Sequence, residues 1–161
     1  MFAVEKVSGT KSEVYEELAR QTRGLLDGER DLIANTANLA ALIWQIVPDL
    51  NWAGFYFMKG GELVLGPFQG KPACVRIAVG KGVCGTAVAR RETMLVADVH
   101  AFPGHIACDS ASNSELVVPL IKAGEVKGVL DLDSPKFARF DAEDRRAFEA
   151  LVAAFVEGTD L

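Results

Sequence analysis

The hydrophobic period of this chain changes twice, and that change limits the folds open to it. Up to Pro48 and after Asp141 the apolar residues recur at helical spacing. Between them they alternate or cluster in short runs broken by Gly and Pro. Thr10-Lys11-Ser12-Glu13 reads as a capping box for a helix running to about Leu26 and stopping at Asp27-Gly28. A second helix is expected from about residue 31 to 47, with Leu32, Leu39, Ile43 and Ile46 on its stripe, Ile33, Ala40, Trp44 and Val47 beside it, and Pro48 at its end. Asp141 caps a last helix to about Glu157, with Phe148, Leu151, Val152 and Phe155 as its stripe and Gly158 as its stop. The middle reads as strands at 51–58 and 63–65 around the turn Lys59-Gly60-Gly61-Glu62, with a loop at 66–71. A strand at 75–79, a short helix from Val83 to about Arg90 and a strand at 94–99 follow. The long irregular stretch 101–114 leads into a second hairpin, 115–121 and 125–133, around Ala123-Gly124. Helices at both ends of a mostly antiparallel sheet predict an α+β fold, with the terminal helices on one face.

Length sets the domain count: 161 residues imply a single domain, 1–161, able to bury a core without disulfides. With 17 basic against 22 acidic residues the net charge is −5, which disfavours binding to nucleic acid or to anionic lipid. No apolar run nears the roughly 18 residues of a membrane helix. The first residues lack the basic and apolar regions of a signal peptide, so a cytoplasmic protein is expected. An odd number of cysteines there is no structural disulfide framework, and without CxxC or HxxxH spacing no metal site is expected.

The three cysteines are the first candidates for chemistry. Cys84, in Gly82-Val83-Cys84-Gly85-Thr86, opens a helix, and a helix N-terminus lowers a thiol pKa. The competing reading is a small buried core residue. Cys108 lies in the long loop, where functional residues concentrate. Cys74, after Pro72-Ala73, stands at a strand edge and fits either role. His105 precedes Cys108 by three residues, a spacing that pairs imidazole and thiol on a helix but not in a loop.

In Val129-Leu130-Asp131-Leu132-Asp133 the leucines face one way and the aspartates the other. Glu115 on the partner strand joins that acidic face if the hairpin loop has three residues, and points away if it has two. Three carboxylates about 5 Å apart repel by about 3 kcal/mol per pair at an effective dielectric of 20. Such a cluster calls for an ammonium ligand, a metal or a retained proton. Trp52, Gly54 and Tyr56 share one strand face, where the aromatics suit either sheet packing or a box around an apolar or cationic group.

Seven segments together resemble a known family: Asn51-Trp52-Ala53-Gly54-Phe55-Tyr56, Leu65-Gly66-Pro67-Phe68-Gln69-Gly70-Lys71, Gly82-Val83-Cys84-Gly85-Thr86-Ala87, Asp98-Val99-His100, Gly104-His105-Ile106-Ala107-Cys108-Asp109, Ser114-Glu115 and Gly128-Val129-Leu130-Asp131-Leu132-Asp133-Ser134. They look like the free methionine-(R)-sulfoxide reductases, enzymes of GAF fold, over about residues 13–155. The resemblance implies reduction of free L-methionine (R)-S-oxide to methionine with electrons from thioredoxin, and no cofactor. It implies Cys108 as nucleophile, Cys74 as main resolving thiol and Cys84 as an auxiliary one. Glu115, Asp131 and Asp133 would hold the substrate, and Trp52 and Tyr56 would enclose its S-methyl. On the reactive thiol the family disagrees with the helix-terminus argument and takes precedence. Related GAF domains also pair, so a homodimer is implied. The competing class is a non-catalytic GAF module that binds a small molecule or senses redox state, and a weaker third is a thiol peroxidase-like enzyme.

Overall fold

The computed structural model describes residues 8–106 and 109–161. Helices α1 (Lys11–Leu26) and α2 (Leu32–Ile46) precede strands β1 (Trp52–Lys59), β2 (Glu62–Gly70) and β3 (Arg76–Ala78). Helix α3 (Gly82–Arg90) and strand β4 (Met94–Val96) lead through a 3-10 turn (Val99–Ala101) to β5 (Ser114–Lys122), β6 (Glu125–Ser134) and α4 (Ala142–Gly158). The strands form one antiparallel sheet in the order β3-β2-β1-β6-β5-β4. Among the described residues no helix is long and apolar enough to cross a membrane.

The expected helices form as their caps dictate. Thr10 and Glu13 make a reciprocal capping box, and Asp141 and Asp144 make another. Gly158 is not a stop outside α4 but its last residue, and the cap is Thr159 in an extended conformation. On α2, Leu39, Ala40, Ile43 and Ile46 are buried, whereas Ile33 and Trp44 lie on the exposed side. The helices α1, α2 and α4 share one face of the sheet. There Phe55 of β1 meets Phe155 of α4 with ring centroids 5.2 Å apart, above a layer that includes Leu116, Leu130 and Leu132. The predicted placement of the terminal helices on one face therefore holds.

Three strand boundaries differ from expectation. Residues 66–70 are not loop but the second half of β2. The pairs Gly54↔Phe68 and Tyr56↔Leu65 enclose a bulge at Gly66-Pro67, where a residue with no N–H and one with no side chain are both tolerated. The segment 75–79 is strand only at Arg76–Ala78. The segment 94–99 is strand only to Val96, because the Asp98 side chain accepts from the His100 N–H and starts the 3-10 turn. The long connection to β5 is tied at its end by Val99 N–H to Asn113 O (3.0 Å) and Asn113 N–H to Ser134 O (2.8 Å).

The second hairpin resolves its register in a way neither simple loop length describes. Its turn has two residues, Ala123 and Gly124, with φ of 50° and 79°, the left-handed pair of a type I′ turn. A bulge then places Ile121 opposite Val126 and Leu120 opposite Gly128, leaving Lys127 as the extra residue. The bulge restores the register of a three-residue loop, and Glu115 stands opposite Asp133.

A polar cluster ties α1 to α4. Asp144, with no exposure, accepts from Arg139 Nη1 (3.0 Å), Lys11 Nζ and the Tyr15 hydroxyl. Removing one partner of a buried pair strands the others and costs about 3–5 kcal/mol. Asp144→Ala should therefore lower unfolding free energy by about 3 kcal/mol, read from the urea midpoint at unchanged m-value. A shift under about 0.5 kcal/mol would show that the cluster stabilises nothing.

Candidate active site

The face of the sheet opposite α1, α2 and α4 carries the candidate residues, and strand pairing puts them there. Trp52 of β1, Asp133 of β6 and Glu115 of β5 lie in one row across three strands. Gly54, Asp131 and Val117 form the next row, and Tyr56, Val129 and Pro119 the one after. All three acids thus share the face of Trp52 and Tyr56. Helix α3 covers this face, with Val83, Cys84 and Ala87 packed beside Val117 and Val129.

Trp52 and Tyr56 stack with centroids 5.8 Å apart, and Phe68 stacks on the other side of Trp52 at 5.2 Å. Gly54 makes that wall possible. A Cβ there would stand 2.3 Å from Phe68 Cβ and 2.7 Å from the Trp52 ring. The polar ends of both aromatics are fixed, Trp52 Nε1 donating to Lys71 O (3.1 Å) and the Tyr56 hydroxyl to Cys74 O (3.0 Å). Phe68 escaped the sequence reading because its segment read as loop.

Beneath the wall lies a cavity of about 40 Å³ lined by Trp52, Tyr56, Cys84, Glu115, Asp131 and Asp133. Segments 71–73 and 81–83 and the long connection border it, the latter through His105, Ile106, Asp109 and Ser112. Asn51 holds that connection in place, its Nδ2 donating to Ser112 Oγ (3.0 Å) and Asp109 Oδ2 (3.3 Å). Asn51 and Ser112 were not among the expected site residues, and no local pattern marks them. His105 borders the cavity, and its ring meets His100 edge-on at 6.3 Å; its expected pairing with Cys108 falls on a residue outside the described ones.

The two described cysteines, Cys74 and Cys84, differ in state. Cys84 is a free, buried thiol. Cys74 is disulfide-bonded. Cys108, the expected nucleophile, lies outside the described residues. The helix-terminus argument for an acidified Cys84 fails: burial pushes its thiol well up, and the charges of Asp131 and Glu115 push it further. Tertiary burial overrides the local dipole.

The acids divide the protons unequally. Burial raises Asp131 to about 6, while hydrogen bonds from Cys84 and Glu115 pull it back. Burial raises Glu115 well above the carboxylate range, with the charges of Asp131 and Asp133 adding to it. Asp133 is likewise raised by burial and by Asp131, against a lowering hydrogen bond from Ser112. Asp131 is therefore the first of the three to ionise, and Glu115 and Asp133 are held above the ordinary carboxylate range. Among the described residues no Lys or Arg forms an ion pair with any of the three. The site offers three buried acids raised above the ordinary carboxylate range and an aromatic wall around a small cavity.

A six-stranded antiparallel sheet with helices on one face and a cavity on the other defines a GAF domain, and the GAF domain family model matches residues 27–156. The free methionine-R-sulfoxide reductase of Escherichia coli is 54% identical over 143 residues, covering 89% of this chain and 87% of its own. The structure of the Neisseria meningitidis free methionine-R-sulfoxide reductase in complex with its substrate superposes with a TM-score of 0.95 at 42% identity, covering 98% of this chain and 95% of that one. The reduced Staphylococcus aureus enzyme of the same description gives 0.89 at 47% identity, with 96% and 98% covered. The chain belongs to the free methionine-R-sulfoxide reductase family of GAF-domain oxidoreductases.

The raised acids carry a stability signature. A carboxyl whose folded pKa lies above its unfolded value near 4 contributes no penalty below pH 4 and an increasing one as pH rises; for Asp131 the penalty is complete above about 6. Asp131→Asn should therefore raise the Tm of the unliganded protein at pH 8 and leave it nearly unchanged at pH 4, by scanning calorimetry. An equal effect at both pH values would show that Asp131 is not a strained, buried charge.

Proposed function

We propose that this protein reduces free L-methionine (R)-S-oxide to L-methionine, with Cys108 as nucleophile, Cys74 as the main resolving thiol, Cys84 as an auxiliary one, and thioredoxin as reductant. The observation that carries the reading is the buried acid trio without a protein countercharge, set beside stacked Trp52 and Tyr56. An ionised Asp131 suits the α-ammonium of a free amino acid. Protonated Glu115 and Asp133 suit the sulfoxide oxygen, and the aromatic wall suits the S-methyl. The relatives' substrate is this same sulfoxide, and the R configuration is taken from them. The small cavity excludes a peptide chain and selects the free amino acid.

The chemistry follows from polarising the S–O bond. A proton donated by Glu115 or Asp133 to the sulfoxide oxygen makes sulfur electrophilic. The Cys108 thiolate attacks it, oxygen passes to the cysteine, methionine departs and Cys108 is left as sulfenic acid. The Cys74 thiol condenses with the sulfenic acid, forming a disulfide and releasing water. Thioredoxin dithiol then reduces that disulfide and is itself oxidised. The disulfide-bonded state of Cys74 and the free thiol of buried Cys84 support Cys74 as the thiol that cycles.

Glu115→Gln and Asp133→Asn should lower kcat/KM about 10- to 100-fold, the loss expected for one charged contact of about 1.5–3 kcal/mol. Asp131→Asn should act mainly through KM. Cys108→Ser should release no methionine in a single turnover, and Cys74→Ser should give a stoichiometric burst with little thioredoxin-driven turnover. Following NADPH oxidation with thioredoxin and its reductase, and quantifying methionine, checks all five variants. Equal rates on N-acetylated substrate, or a full burst from Cys108→Ser, would overturn the reading and leave a binding or redox-sensing module in its place.

A further inference from the structure

The acid cluster and the buried thiol also form a compact donor set of a kind that holds a metal ion. Sγ of Cys84, a carboxylate oxygen of Glu115 and one of Asp131 lie within 4.8 Å of one another, and Cys84 Sγ is 3.9 Å from Glu115 Oε1. All three residues are more than nine-tenths buried. They stand on three separate elements, α3, β5 and β6, which the sheet and its helix hold in place. Oδ1 of Asp131 is buried with no hydrogen-bond partner, the one orphaned oxygen of the trio. A buried acceptor without a partner is costly, and a ligand that fills the cavity beside it relieves that cost.

We propose that Cys84, Glu115 and Asp131 bind a thiophilic divalent cation, zinc foremost, which occupies the cavity and blocks substrate. A tetrahedral zinc has S and O donors at about 2.3 and about 2.0–2.2 Å, so the three side chains close on the ion by about 1 Å, within reach of rotamer adjustment. The fourth position faces the cavity. Binding displaces the protons of Cys84 and Glu115 to solvent, and the resulting thiolate and two carboxylates suit zinc, cadmium or cobalt. Magnesium and calcium prefer six or more oxygens and are rejected. The ion acts as an inhibitor of the site. Its blocking action rests on the function proposed above, because it takes the acids assigned to the substrate.

The test uses the full chain carrying Cys74→Ser and Cys108→Ser, so that Cys84 is the sole thiol. Titration with Co²⁺ should give one equivalent bound and a thiolate-to-cobalt absorption band in the near ultraviolet, and Zn²⁺ should displace it. Adding Cys84→Ser should abolish the band. Adding Asp131→Asn should weaken Zn²⁺ binding at least tenfold by calorimetry, with an unchanged circular dichroism spectrum. Binding that survives Cys84→Ser undiminished, or cobalt binding without the band, overturns the site. Free methionine sulfoxide should raise the apparent Kd for Zn²⁺. A thiolate band insensitive to the sulfoxide sustains the metal site and removes the substrate from the acids, so the two readings fail separately.

Discussion

The site depends on one strand register. Glu115 stands opposite Asp133 only because the Ala123-Gly124 turn is followed by a bulge at Lys127. A slip of one residue would turn Glu115 to the helix face and bring Leu116 among the acids. That slip is opposed from the other side of the sheet. Leu116, Val118 and Leu120 of β5 and Leu130 and Leu132 of β6 are all buried against α1, α2 and α4, so reversing either strand would expose a row of core side chains. The apolar face therefore enforces the geometry of the polar one.

That enforcement lets the protein hold acids where they are electrostatically unfavourable. Glu115 and Asp131 are each about 6% exposed and face one another without a cation. The trio does not ionise fully, because burial raises all three carboxyls and makes full ionisation too costly. The compensating stabilisation lies elsewhere, in the aromatic contact of Phe55 with Phe155 and in the Asp144 cluster between α1 and α4. In the proposed mechanism the strained acids are the functional part: one that keeps its proton donates it to the sulfoxide, and an anion among them receives the ammonium.

Much of this was legible from local pattern. The capping boxes at Thr10 and Asp141 and the alternation at residues 129–133 each follow from chemistry within a few residues. What escaped was set by distant contacts. Gly66-Pro67 reads as a loop because a β-bulge is defined by its partner strand. Lys127 carries no mark of being the extra residue in its hairpin. Cys84 reads either as an activated thiol at the start of α3 or as a small buried residue, and packing against the acids decides for burial. Asn51 and Ser112 join the site through a contact across 61 positions. Cysteine identity, by contrast, was carried by motif resemblance, which local physics could not supply.

The central claim is that the buried trio retains protons above the ordinary carboxylate range, with Asp131 the first to ionise. The direct measurement is a pH titration of the side-chain carboxyl carbons of Glu115, Asp131 and Asp133 by ¹³C NMR on the unliganded protein. The account predicts an Asp131 midpoint at about 6, with Glu115 and Asp133 still protonated at pH 7. Three ordinary midpoints near 4 would contradict it, showing a solvated acidic face with no proton to give.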